Sequence, residues 1–202
     1  MVNKNNELEE VKLKDNLNLI GTEIKFGYDS KSEKELVWKI IALEKDKVLL
    51  WSKYIIKDVV YSKELKKEDI NLYYNSEIRK YLLNDFLSYF SKAELSQIES
   101  NGKDMVYILS NDDLNRYMSI DYQKENVELR ARPSSPLFTK GFETNESGYG
   151  KYWLKNNDSK HDYASIVDSF GNITRAKINN TNVGVRPAIW IHLDKRFKLI
   201  EE

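Results

Sequence analysis

The stretch from Glu35 to Ile56, ELVWKIIALEKDKVLLWSKYII, constrains the fold more than any other part of the chain. It reads as two strands, about Leu36–Leu43 and Val48–Tyr54, joined by the charged tetrapeptide Glu44-Lys45-Asp46-Lys47. A short polar link between two apolar runs suits a hairpin. In the first run Val37, Ile41 and Leu43 oppose Trp38, Ile40 and Ala42, so both faces of the strand are apolar. Such a strand belongs in the middle of a sheet, under helices or loops.

Other elements follow from periodicity and capping. A glycine-bounded strand is expected from Ile20 to Gly27. One long helix is expected after a cap at Asn75 or Ser76, because Ile78, Leu82, Leu83, Phe86, Leu87 and Phe90 recur at helical spacing. Ser91 with Glu94, and Ser110 with Asp113, have the spacing of capping boxes and open two shorter helices. The second is preceded by the strand-like MVYIL. From Ser119 to Gly150 the pattern dissolves into loop, marked by RARPSSP and GFETNESGYG. A loop of that length in a compact domain is functional or flexible. Strands return at Tyr152–Lys155, Tyr163–Asp168 and ITRAKI, with a turn at Phe170-Gly171-Asn172, and the last strand is GVRPAIWIHL. The expected organisation is a polar lead-in over residues 1–18 and a single domain over 19–202.

The balance of charge removes some function classes. Lysine plus arginine and aspartate plus glutamate both number 32, so no electrostatic drive toward nucleic acid or an anionic membrane exists. The chain has no cysteine, which excludes disulfides, thiolate nucleophiles and cysteine-bound metals. No apolar run approaches a transmembrane length, and the first residues have no signal-peptide core. Cytoplasmic is the default location; a surface or secreted one follows if a leader has been removed.

The co-linear order of these pieces carries a resemblance. VWKI (Val37–Ile40), LLWSKYII (Leu49–Ile56), NSEIRKYLLNDF, AELSQI, YILSNDDLNRY, YWLK, ASIVDSFGNI and GVRPAIWI resemble an uncharacterised bacterial family catalogued as a domain of unknown function. That family is distantly similar to the C-type-lectin-like fold of formylglycine-generating enzymes and phage receptor-binding proteins, which close on a strand like Gly184-Val185-Arg186. The resemblance implies an α+β domain: twisted antiparallel sheets, a few helices, and long loops presenting a binding surface. The bottom-up order of elements agrees with it.

The chemistry of those relatives does not carry over residue by residue. Formylglycine-generating enzymes need two active-site cysteines, absent here. The related iron sulfoxide synthases need three histidines, whereas this chain has His161 and His192, not in a recognisable ligand spacing. Calcium-binding lectin triplets are missing. Asn156, Asn157 and Asp158 offer clustered oxygens suited to calcium, but read better as turn residues. No nucleophile elbow or glycine-rich phosphate loop is present. A non-catalytic module is therefore favoured over an enzyme, with no cofactor, no metal and no catalytic residue assigned.

The candidate ligand-binding residues are Arg130, Arg132, Tyr149, Tyr152, Asn157, Asp158 and His161. Arg130 and Arg132 lie two apart in an extended segment, where paired guanidinia suit a carboxylate or phosphate, or else pair with Glu125 or Glu128. Tyr149 and Tyr152 sit with Trp153 on GYGKYW, where aromatics stack on sugars or anchor peptides, although Trp153 reads as core. In the closing strand Arg186 shares a face with Trp190, and both are assigned structural roles. Pro187 marks an edge or bulge, and Arg186 is expected to bind loop carbonyls or a carboxylate such as Asp168. The function expected is binding of a small molecule, a glycan or a protein through the Ser119–Gly150 and Asn156–Tyr163 loops. A metal-dependent enzyme using His161, and a structural or assembly subunit, are the alternatives.

Overall fold

The computed structural model describes residues 19–63, 72–122, 124–158 and 162–193. The expected lead-in over residues 1–18 lies outside them, as does His161. The apolar hairpin forms as its pattern requires. Strand β1 (Glu23–Asp29) pairs with β2 (Lys34–Glu44), and β2 with β3 (Lys47–Ser52), all antiparallel. The β2–β3 turn is tight, and Lys45 adopts a φ of 53° within it. Strand β1 runs past Gly27, where sequence alone ends it. Gly27, at φ 85°, sits in a register shift between Lys25 and Tyr28 that bends the strand without stopping it.

Ten shorter strands complete the sheets: β4 (Tyr54–Ile55), β5 (Lys57–Asp58), β6 (Ile98–Glu99), β7 (Tyr107–Ile108), β8 (Arg132–Pro133), β9 (Tyr152–Asp158), β10 (Tyr163–Val167), β11 (Ile173–Lys177), β12 (Gly184–Val185) and β13 (Pro187–His192). One sheet has the order β1-β2-β3-β13-β6, with β7 also on β13. The other has the order β11-β10-β9-β12-β5, and β4 pairs with β8 in a ribbon of two. Pairing is antiparallel except at β9–β12 and β4–β8.

Two of the chain's passages out of a sheet break runs that read as single strands. GVRPAIWIHL is not one strand: β12 lies in the second sheet and β13 in the first, with Arg186 between them. Pro187 has no N–H for a continuous ladder, which makes this the point where the strand breaks. The run expected as Val48–Tyr54 likewise ends at Ser52. The Ser52 hydroxyl donates to the Tyr54 carbonyl at 2.7 Å and accepts from the Tyr54 N–H at 3.3 Å, folding the chain away from β2.

Helices start where the caps predict. Helix α1 (Leu72–Asn75) precedes α2 (Glu77–Asn84), whose N-cap Ser76 accepts from the Arg79 N–H at 3.0 Å. The apolar period continues past α2, but the backbone tightens into a 3-10 turn at Phe86–Tyr89. Both capping boxes form, opening α3 (Lys92–Leu95) and α4 (Asn111–Tyr117). The Ser119–Gly150 segment is less irregular than its sequence implies. It holds a 3-10 turn at Val127–Leu129, strand β8 and helix α5 (Ser135–Thr139), pieces too short for periodicity to reveal.

Both faces of the central strands are covered, as two-sided apolar strands demand. Trp38 is fully buried with Phe86 and Phe90 at ring-centroid distances of 6.2 and 6.3 Å. Across the sheet, Trp51 meets Tyr152 of β9 edge-on at 5.8 Å. The architecture is mixed α and β, with curled, mainly antiparallel sheets and few helices.

Candidate functional site

The bend at Ser52 opens a cleft. The β2–β3 ladder ends at Trp38 against Ser52, with one more bond from Lys53 N–H to the Val37 carbonyl at 3.0 Å. Beyond it β2 stays with β1 back to Lys34, while the other strand departs as β4 to pair with β8. The gap between the parting strands is a cleft of about 1000 Å³. Its floor carries Ser52, Tyr54 and Ile56, one side the β1–β2 hairpin with Tyr28 and Lys34, the other Arg132 to Pro136 with Phe138. Tyr28 and Phe138 are large aromatics left 49% and 58% exposed in a chain that buries most of its aromatic surface.

Charges along the cleft are mostly tied within the protein. Lys25 pairs with Glu35 at 2.6 Å. Asp29 accepts from the Ser32 hydroxyl at 2.6 Å and the Lys31 N–H at 3.0 Å, closing the hairpin tip. Arg132 differs: among the described residues no carboxylate lies within ion-pair distance of it, and its guanidinium carbon stands 5.1 Å from the Tyr149 ring centroid.

The Arg132–Tyr149 stack follows from pairing. Ala131 and Gly150 form an antiparallel bridge, which sets Arg132 opposite Tyr149. Asn145 knots the turn behind them. Its side-chain oxygen accepts from the Ser147 and Tyr149 N–H groups at 3.1 and 3.0 Å, and its amide donates to the Ser169 carbonyl at 2.9 Å. Arg130 approaches the same ring at 5.8 Å, but it pairs with Glu125 and donates to the Phe170 carbonyl at 3.1 Å. Glu128, the other acid considered for these arginines, pairs instead with Lys39 at 3.0 Å.

Arg186 lies beneath this region, 4% exposed. Its Nε donates to the Ser52 carbonyl at 2.8 Å, and Nη1 donates to the Leu129 carbonyl at 3.1 Å and the Tyr152 hydroxyl at 3.2 Å. Burial lowers its pKa while the Tyr152 hydroxyl opposes that. Asp168 is not its partner: that carboxylate accepts from the Phe170 and Asn172 N–H groups at 2.8 and 2.9 Å and holds the β10–β11 turn.

The remaining candidates scatter. Tyr152 is fully buried and donates to the Leu129 carbonyl at 2.6 Å, so no ligand at the surface reaches it. Burial pushes its pKa up to about 12, against the pull of Arg186. Asn157 and Asp158 are strand residues of β9, opposite Ala164 and Tyr163, not turn residues; the strand runs three residues past the YWLK pattern. Trp190 packs edge-on against Tyr117 at 6.0 Å, and Lys47 Nζ stands 5.0 Å from its ring centroid. Arg132 and Tyr149 thus meet at the cleft edge, whereas Tyr28 and Phe138 were missed by sequence reasoning because each lies outside any periodic run.

Residues 45–193 match the family model described as a domain of unknown function, DUF6273. The chain belongs to this family. The match covers well over half of its 202 residues and begins inside the β2–β3 turn, so the family segment supplies the cleft floor and the Arg132–Phe138 side. The hairpin side, with Tyr28 and Lys34, precedes the matched segment. No curated protein and no solved structure matches the chain.

Proposed function

We propose that the protein is a non-catalytic binding module whose ligand, a glycan or a peptide, occupies the cleft between the β1–β2 hairpin and helix α5. One observation carries the reading: Tyr28 and Phe138 stay exposed at 49% and 58% on the lining of a cleft of about 1000 Å³. Large exposed aromatics flanked by serine hydroxyls and charged groups match the surfaces that take sugar rings or peptide side chains. The finer fold reading, a C-type-lectin-like domain of the formylglycine-generating-enzyme type, belongs to the same proposal. Its supports are the mainly antiparallel sheets, the loop region that lines the cleft and the Gly184-Val185-Arg186 crossing. The metal-dependent alternative rests on His161, which lies outside the described residues.

An NMR titration of isotope-labelled protein with glycan and peptide panels tests this. Amide shifts clustering at Tyr28, Lys34 and Ser134–Phe138 are expected. Shifts clustering instead on β10 and β11 would place the ligand on another surface.

A further inference from the structure

Resting on the cleft reading above, we propose that Arg132 is the anchor for a ligand carboxylate, so that the cleft takes a ligand bearing a single negative charge beside an apolar or ring-shaped body. Three guanidinia lie in this part of the fold, and two are spent. Arg186 is enclosed by the Ser52 and Leu129 carbonyls and the Tyr152 hydroxyl, and Arg130 is held by Glu125 and the Phe170 carbonyl. Among the described residues Arg132 keeps only the Tyr149 ring against its flat face, which leaves its N–H edge for a ligand.

The stack also fixes where that edge stands. The Ala131–Gly150 bridge and the Asn145 knot hold Tyr149, and Gly148 has no side chain to crowd the guanidinium: a Cβ built there would lie 4.0 Å from Arg132 Nη1. A pre-positioned guanidinium loses less side-chain freedom on binding than a mobile one. Pairing with Tyr54 in the β4–β8 ribbon sets Arg132 beside the cleft floor, and Phe138 lines the same side.

The surrounding charge selects carboxylate over phosphate. The lining charges balance: Lys25, Lys34 and Arg132 face Asp29, Glu33 and Glu35, and Lys25 is already paired with Glu35. A balanced lining with one stacked guanidinium suits a singly charged group better than a doubly charged phosphate. A carboxylate matches the two-pronged fork of one arginine.

Carboxylates on a sugar and on a peptide share this chemistry, and paired probes separate them. The affinities to measure are those of methyl galacturonoside against methyl galactoside, and of acetyl-Gly-Gly-Phe with a free against an amidated C-terminus. Each is titrated into wild-type protein and Arg132→Gln, following the Arg132 Nε–H resonance in the former. In one arm the acid is expected to bind roughly ten- to a hundredfold more tightly than its neutral partner. Arg132→Gln is expected to abolish that preference, and the responding arm names the source. Equal affinity of acid and neutral probes overturns the carboxylate anchor and leaves the cleft reading standing. An acid preference that survives in Arg132→Gln overturns it too. No binding in either arm overturns the anchor and the cleft reading together.

Discussion

The guanidinium carbon of Arg186 lies 3.4 Å from the centroid of the Trp51 ring. Trp51 stands on β3 one residue before the bend that opens the cleft, and Arg186 occupies the other crossing between sheets. A cation stacked on an indole, with carbonyls from Ser52 and Leu129 in its plane, ties both crossings to the Val127–Leu129 turn. The arginine therefore acts through geometry that no other side chain reproduces.

Replacing it removes the donor to the Ser52 carbonyl and the Tyr152 hydroxyl and leaves the Leu129 carbonyl with Tyr152 alone. Arg186→Met is expected to cost about 3–5 kcal/mol. For a chain of this size that lowers Tm by roughly 6–20 °C, at about 2–4 °C per kcal/mol. Arg186→Lys is expected to recover only part of it, since one ammonium cannot reach all three acceptors. Calorimetry on the two variants checks this, and a Tm close to wild type in Arg186→Met would show the node to be dispensable.

Gly171 couples the β10–β11 turn to the same loop. Its φ is 89°, and a Cβ there would lie 2.2 Å from the Asn126 carbonyl oxygen. Gly171→Ala combines left-handed strain of about 1–2 kcal/mol with a backbone clash that a side chain cannot relieve. Denaturant unfolding is expected to show a total loss above about 2 kcal/mol. Hydrogen exchange is expected to speed up first at Leu129 and Arg130. Unchanged exchange there would mean that the turn and the loop are not coupled.

The strands, caps and core of this fold were legible because each rests on local chemistry. The capping serines Ser76, Ser91 and Ser110 announce their helices, and a strand apolar on both faces must be central. The sheet crossings were not legible. Nothing local in Val185-Arg186-Pro187 says that the residues on either side of Arg186 join different sheets; only the long-range partners of Gly184 and Ala188 decide it. The cleft was half legible for the same reason. Arg132 and Tyr149 stood out as chemistry on a loop, whereas Tyr28 and Phe138 became neighbours of the cleft only when β4 left β2.

Buried phenols set an alkaline limit. Burial raises the pKa of Tyr61, Tyr73, Tyr81 and Tyr107, and pushes Tyr152 up to about 12. In the unfolded chain these groups ionise near pH ~10. The folded pKa lies above the unfolded one, so the stabilisation is complete below pH ~10 and is lost as pH rises toward the folded values. Each such tyrosine then adds a slope of about 1.4 kcal/mol per pH unit. The phenolate absorbance of these five buried tyrosines is expected to appear in one cooperative step together with loss of the far-ultraviolet dichroism. Gradual ionisation of all tyrosines near pH ~10 with native dichroism would contradict the burial of these rings.

The binding role of the cleft is tested most directly by thermal shift with panels of glycans, cell-wall fragments and peptides, run on wild-type protein and on a Tyr28→Ala, Phe138→Ala double variant. Both side chains are about half exposed or more, so the variant is expected to keep its own Tm close to that of wild type. A ligand at ~100 times its Kd adds about 2.7 kcal/mol, a shift of roughly 5–10 °C for a chain of this size. The account predicts such a shift for one ligand class in the wild-type protein and its loss in the double variant. A shift of equal size in both proteins, or none in the wild type with any panel, would contradict it.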